Sequence, residues 1–201
     1  MPKKPSPRGD LTRQAVLAAA QQLFIQQGYH GTSMRQIAEL SGSALGGLYN
    51  HFPDGKEGIF QAIFLQNHPY QEILPALLQA DGEDIETFLR DAANRLLKSL
   101  ENRPDFLNLM FIEVVEFNSV HISQLFQSLL PQAIPLASRI VSIGGGRLRP
   151  IPLPILLRSF LGLFFSYYMT EVILAPAALP EFTENAMEHF INIYLHGILA
   201  R

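Results

Sequence analysis

The sequence predicts an all-α protein on three observations. Apolar residues recur at helical spacing from the first folded stretch onward, as in Val16, Ala19, Ala20, Leu23 and Phe24 (i, i+3, i+4, i+7, i+8). Glycine and proline clusters, such as Gly144-Gly145-Gly146 and Pro176 to Pro180, punctuate the periodic segments. No stretch reads convincingly as a strand.

The first helix carries the Val16 to Phe24 stripe and is closed by Gly28. After the turn Tyr29-His30-Gly31, Ser33 and Gln36 have capping-box spacing, in which the serine oxygen takes an orphan N–H and the glutamine reaches back. Met34, Ile37 and Ala38 give the second helix its apolar side, and Ser41-Gly42-Ser43 stops it after about two turns. Leu45, Leu48, Tyr49 and Phe52 form a third short helix, ended by Pro53. Asp54 and Glu57 then open a longer helix carrying Ile59, Phe60, Ile63 and Phe64. Two short helices joined by a glycine-containing turn and braced by a preceding helix fit both a helix-turn-helix and a generic three-helix bundle.

The residues go further than the spacing. Gly28-Tyr29-His30-Gly31-Thr32-Ser33-Met34-Arg35-Gln36-Ile37-Ala38, then Gly42, then Leu48-Tyr49-Asn50-His51-Phe52-Pro53-Asp54-Gly55-Lys56-Glu57, resemble the DNA-binding domain of the TetR family of bacterial transcriptional regulators. The resemblance spans roughly Thr12 to Phe60. It implies residues 1–55 as a basic arm plus helix-turn-helix DNA-binding domain, and residues 56–201 as a larger helical domain for ligand binding and dimerisation. It also implies that Arg35 reads guanine O6 and N7 or holds a phosphate, that Ser33 combines its cap with a phosphate contact, and that Tyr49, His51 and Lys56 lie on the phosphates.

Where the family usually has Ser-Lys-Gly-Thr before Leu-Tyr, this chain has Ala44-Leu45-Gly46-Gly47, losing a cap, a charge and a hydroxyl. Ser43 is expected to cap one residue early. Gly46 and Gly47 each weaken the helix by about 1 kcal/mol against alanine but let the backbone approach DNA closely. Base reading is therefore expected from Arg35, Ala44, Leu45 and Asn50, with a large phosphate share and with Gly47 also on the DNA-binding face. The Pro- and Lys-rich arm before Asp10 is too polar to pack.

Beyond Lys56 the pattern predicts helices over Lys56 to Leu78 with a break near Pro69, Glu83 to Asn102, Pro104 to Asn118, His121 to Ile143 with two internal prolines, Pro154 to Leu174 and Glu181 to Leu199. Ile151 to Leu174 is apolar, but Arg158 and Glu171 leave only Ser159 to Thr170 uncharged, too short for a bilayer, so a buried core helix is expected. Phe160 to Met169 is apolar nearly all round and needs cover on most sides, which a second subunit supplies. The resemblance implies a homodimer through the last two helices and a palindromic operator, with Phe160, Phe164, Met187, Phe190, Ile191, Tyr194 and Ile198 as interface candidates. It also implies a pocket for a small apolar effector, with Phe106, Met110, Glu113, Phe117, His121, Phe126, Phe165 and Tyr168 as lining candidates and Glu113 or His121 as polar anchor.

Composition agrees with a folded, soluble chain: of 201 residues 48% are hydrophobic and 16% charged, with net charge -3. Residues 1–60 hold six cations against four acids, and the remainder nine against fourteen, so a +2 segment precedes a -5 one. The absence of cysteine excludes disulfides and thiolate metal sites and fits a cytoplasmic setting, and the N-terminus lacks the apolar run of an export signal. The triple glycine lacks the Lys-Ser/Thr of a phosphate loop, Glu113 and Glu116 stand three apart on one helix, and His189 and His196 have no third ligand nearby. No catalytic residue, cofactor or metal is expected. A small all-α enzyme, or a helical ligand-binding or scaffold protein without DNA binding, are the rival readings, the latter sustained by the Ala44 to Gly47 departures. Thirteen of the 14 phenylalanines lie beyond residue 50, where a core, an interface or a pocket must absorb them.

Overall fold

The computed structural model describes residues 7–67, 69–100, 103, 105–174 and 184–200. Their helices are α1 (Pro7–Gly31), α2 (Met34–Leu40), α3 (Leu45–His51), α4 (Gly55–Asn67), α5 (Tyr70–Leu78), α6 (Ile85–Leu100), α7 (Phe106–Phe117), α8 (Val120–Leu129), α9 (Ile134–Gly144), α10 (Leu153–Leu174) and α11 (Ala186–Ile198). Short 3-10 turns occupy Leu130–Ala133 and Gly145–Arg147. Among the described residues the only β-type pairing is an isolated bridge between Leu148 and Leu199. Pro131 and Pro135 divide the long helix expected over His121 to Ile143, because proline removes a ladder N–H and fits only a helix's first turn. Residues 1–6 of the basic arm, and the expected start of the last helix at Glu181 with Phe182, lie outside the described residues.

The chain forms two units. The first comprises residues 1–68 and 105–126, the second 69–104 and 127–201. In the first, α1 packs on α2, α4 and α7, and α2 packs on α3. The apolar stripe read in the sequence is the buried face of α1: Val16, Leu17, Ala20 and Phe24 share a core with Ile37, Ala38, Leu48, Phe52, Ile59, Phe60, Ile63, Phe64 and, from α7, Leu109. Gly28 breaks α1 at φ 78, ψ 167, a region closed to residues with a Cβ, and so turns the chain toward α2.

α7 and α8 meet at a two-residue corner, Asn118 and Ser119, both at positive φ. With Ser119 in that conformation, the N–H groups that open α8 are taken by a side chain from α7. Glu113 Oε1 accepts from the backbone N–H of His121 (2.7 Å) and Ile122 (3.1 Å), and Oε2 lies 2.7 Å from His121 Nδ1. The carboxylate is fully buried and His121 is 5% exposed, so the pair is a closed internal network.

In the second unit α6 is the spine. It buries Ile85, Phe88, Leu89, Ala92, Ala93, Leu96 and Leu100 along one stripe against α5, α9 and α11. Arg90 on α6 bonds Glu188 (2.5 Å) and Asn192 (2.5 Å) of α11. Asp84 accepts the Thr87 N–H (2.9 Å) at the head of α6, and this bond holds its carboxyl below the ordinary aspartate value. A depressed carboxyl contributes stability above the unfolded pKa and loses it as pH falls through the folded one. Thermal melts scanned downward from neutral pH are therefore expected to show an acid-side loss that Asp84→Asn lacks.

α10 packs on α11, with Phe160 5.6 Å from Tyr194 and Tyr167 6.0 Å from Phe190 between ring centroids, and Leu156, Phe160, Phe164, Met187, Ile191, Leu195 and Ile198 are buried. α10, expected as a buried core helix, has a segment, Leu153–Glu171, that is long and apolar enough to cross a membrane by length and composition, and only 22% of it is buried within the single chain. Of the interface candidates, Phe160, Phe164, Met187, Ile191 and Ile198 are buried within the chain, while Phe190 and Tyr194 are half-buried. The outward apolar side chains are Ile155, Leu161, Phe165 and, at 71% exposure, Ile193.

Candidate nucleic-acid interface

The α2–turn–α3 segment presents a polar outer surface over an apolar back. Ile37, Ala38 and Leu48 are buried, whereas Ser33, Arg35, Ala44, Leu45, Tyr49, Asn50 and His51 are exposed, with Gly47 half-buried. The capping box is complete: Ser33 Oγ accepts from Gln36 N–H (3.3 Å) and Gln36 Oε1 accepts from Ser33 N–H (2.8 Å). Arg35, one residue into α2, makes no ion pair among the described residues. Its guanidinium fork is available to a ligand.

α3 is not capped by Ser43. Its N-cap is Ala44, which makes no side-chain capping bond, since a methyl group has no acceptor. A Cβ built on Gly46 or Gly47 meets nothing within 4 Å, so the two glycines leave bare backbone at the surface. Tyr49 is 48% exposed and its ring leans toward Gly55, 3.7 Å from where a Cβ there would stand.

Lys56, expected on the phosphates, is held by the turn ahead of α2. Its Nζ donates to the carbonyls of Tyr29 (2.7 Å) and Thr32 (2.8 Å) and lies 4.2 Å from the centroid of the Tyr29 ring. Burial pushes its pKa down against the opposing pull of Glu116. Burial likewise raises the Tyr29 phenol, assisted by Glu57 and Glu116. The same turn meets α7 through His30 Nε2 and Glu116 Oε2 (2.5 Å) and through Tyr29 against Phe117 (5.0 Å between centroids). His30 is 82% exposed, and an ion pair so open is worth about 0–1 kcal/mol, whereas bonds to a charged donor are worth about 1.5–3 kcal/mol each. Lys56 and the aromatic contact therefore dominate the hold on the turn.

Sequence reasoning passed over Arg13, whose guanidinium sits 5.3 Å from the centroid of Phe52 beside the end of α3. It also passed over Thr32, only 2% exposed, whose hydroxyl donates to the Gly28 carbonyl (2.9 Å). Nothing in the spacing distinguishes either from a surface residue.

The effector-lining candidates divide between the two units. Phe106, Met110, Glu113, Phe117, His121 and Phe126 belong to the first unit, Phe165 and Tyr168 to the second. Glu113 and His121 bond each other and backbone, so neither is a spare polar anchor. Met110 and Phe117 pack on the first unit's core, and Phe126 and Phe165 are 55% and 48% exposed. A surface depression in the first unit is lined instead by Ala18, Gln21, Gln22, Ile25, Gln26 and Asp105.

A buried-backed α2–α3 pair with an open polar face on an otherwise helical chain defines a helix-turn-helix DNA-binding transcriptional regulator. The family model for "Bacterial regulatory proteins, tetR family" matches residues 16–63, and over that segment the chain is similar to the DNA-binding domain of the family. It is 36% identical over 84 residues to the HTH-type transcriptional regulator LmrA of Bacillus subtilis (strain 168), a match covering 40% of this chain and 45% of that protein. Against the uncharacterized HTH-type transcriptional regulator YvkB of the same organism it is 24% identical over 195 residues, 94% of this chain and 98% of the relative. Among solved structures, NalD, the secondary repressor of the MexAB-OprM multidrug efflux pump in Pseudomonas aeruginosa, superposes with a TM-score of 0.68 at 21% identity, covering 96% of this chain and 98% of that one. That likeness shows the fold. A regulator of this family works by binding DNA and is not an enzyme.

Proposed function

We propose that the chain is a cytoplasmic repressor that binds a palindromic operator as a homodimer and leaves it when a small apolar effector occupies the helical domain. The observation that carries the DNA-binding part is the exposed set on α2 and α3, above all the exposed Arg35 beside the capped start of α2. Ser33, Arg35, Ala44, Leu45, Gly47, Tyr49, Asn50 and His51 make the DNA contact. The repressor reading is supported by the fold shared with NalD, which is a repressor of an efflux pump.

Selection of bound sequences from a random DNA pool tests this reading. Arg35→Ala is then expected to weaken binding of the selected site about 10- to 100-fold in a mobility-shift titration and to relax preference at one base pair per half-site. Unchanged affinity and preference would show that Arg35 neither reads nor holds DNA.

The dimer reading rests on α10, a helix apolar on its outer side and open within one chain. Its partner-facing residues are Leu161 and Phe165, with Ile193 from α11, in place of the buried candidates. Phe165→Asp combined with Ile193→Asp is expected to weaken association by roughly 2 kcal/mol or more, turning dimer into monomer in light scattering at micromolar concentration. A chain that stays dimeric would place the interface elsewhere. The effector must bind one arrangement of the DNA-binding heads better than another, since equal affinity shifts nothing.

A further inference from the structure

We propose that Lys56 is a positioning residue for DNA binding: its ammonium fastens the start of α4 to the turn ahead of α2, and thereby sets Ser33 and Arg35, instead of neutralising a phosphate. The proposal rests on the DNA-binding reading above. An ammonium has three protons and no acceptor. Two of the protons point at the Tyr29 and Thr32 carbonyls at 2.7 and 2.8 Å, and the Tyr29 ring lies against the cation at 4.2 Å. These three partners account for its donor directions, and a phosphate would have to displace one of them.

The two carbonyls belong to the turn between the Gly28 break and the Ser33 cap. Its other polar groups are tied locally: the Gly31 carbonyl accepts from Gln27 Nε2 (2.9 Å) and the Gly28 carbonyl from Thr32 Oγ1 (2.9 Å). Among the described residues, Lys56 makes two hydrogen bonds that join the turn to α4, across 24 and 27 residues. A shift of α4 is accordingly transmitted to Thr32, one residue before Ser33 and three before Arg35. The lowered Lys56 pKa accords with an ammonium partly withdrawn from water.

The test compares full-length wild type and Lys56→Met on the selected operator over a range of salt concentrations, with hydrogen exchange of the DNA-free proteins alongside. Losing a phosphate contact lowers the slope of log affinity against log salt by about 0.9. A positioning role predicts affinity reduced by roughly the same factor at every salt concentration, an unchanged slope, and faster exchange of the amides from residue 29 to residue 33. A slope lowered by about one overturns the proposal whatever the exchange shows, and so does unchanged exchange in the turn. Should Lys56→Met fail to fold, the wild-type ammonium is followed by NMR. Titration below the ordinary lysine range and a signal unmoved by operator support the proposal, and a signal that shifts when operator is added overturns it. If the wild type selects no DNA at all, the DNA-binding reading fails separately, while exchange in the turn still reports whether Lys56 holds it.

Discussion

Glu113→Ala is expected to remove about 3–5 kcal/mol from the stability of the first unit, because it deprives several buried polar groups of their shared partner at once. The carboxylate is fully buried and serves three donors or ring atoms at once, so its loss leaves two N–H groups at the head of α8 and the Nδ1 of His121 without partners. An unsatisfied buried donor forfeits the whole of its desolvation cost, not the small net worth of a hydrogen bond. Glu113→Gln retains an oxygen for the two amides and is expected to cost about 1 kcal/mol. Urea denaturation of the three proteins separates the cases, and an alanine variant within about 1 kcal/mol of wild type would mean that the corner does not depend on the carboxylate.

Phe60→Ala carries an effect of similar size, about 3–5 kcal/mol. The ring is fully buried and lies at the centre of an aromatic cluster, 4.6 Å from Phe117 and 5.9 to 6.2 Å from Tyr29, Phe64, Phe24 and His121 between centroids. Neighbours drawn from α1, α4, α7 and α8 cannot all collapse into the cavity, which is why the cost approaches the upper end for an aromatic truncation. Phe60→Leu fills most of the space and is expected to lose less than half as much. Thermal melting reads both, and operator affinity at a temperature where the variants remain folded tells a stability effect from a misplaced head.

The helices of the first 67 residues were legible because each is written locally. Val16 to Phe24 repeat at helical spacing, Gly28 occupies a conformation that excludes a Cβ, and Ser33 with Gln36 encodes its own cap. Arg35 was legible as an exposed residue for the same reason. The hold of Lys56 on the turn was not legible because its partners are two backbone carbonyls more than twenty residues earlier, and carbonyls carry no sequence signature. Ser43 was misread because a hydroxyl one residue early does not reach the amides that Ala44 precedes. Farther along, the apolar surplus hid which stripe of α10 and α11 turns inward: Phe164 and Phe165 are adjacent and equally apolar, yet one is 2% and the other 48% exposed. Glu113 and His121 looked like spare polar groups since their mutual bond spans a corner that exists only when Asn118 and Ser119 take positive φ.

That corner bears on how the protein is made. The first unit is assembled from two separate stretches of chain, 1–68 and 105–126, and its core takes Leu109 from the second. A ribosome has therefore synthesised the whole recognition segment, and α5 and α6 as well, before the residues that complete the core around Phe60 emerge. Closing a loop of this length must precede the contacts that reward it, which slows folding. The head is thus expected to stay open during synthesis until residue 126 has cleared the exit, and a fragment ending at residue 68 is expected to fold less stably than the same sequence within the full chain.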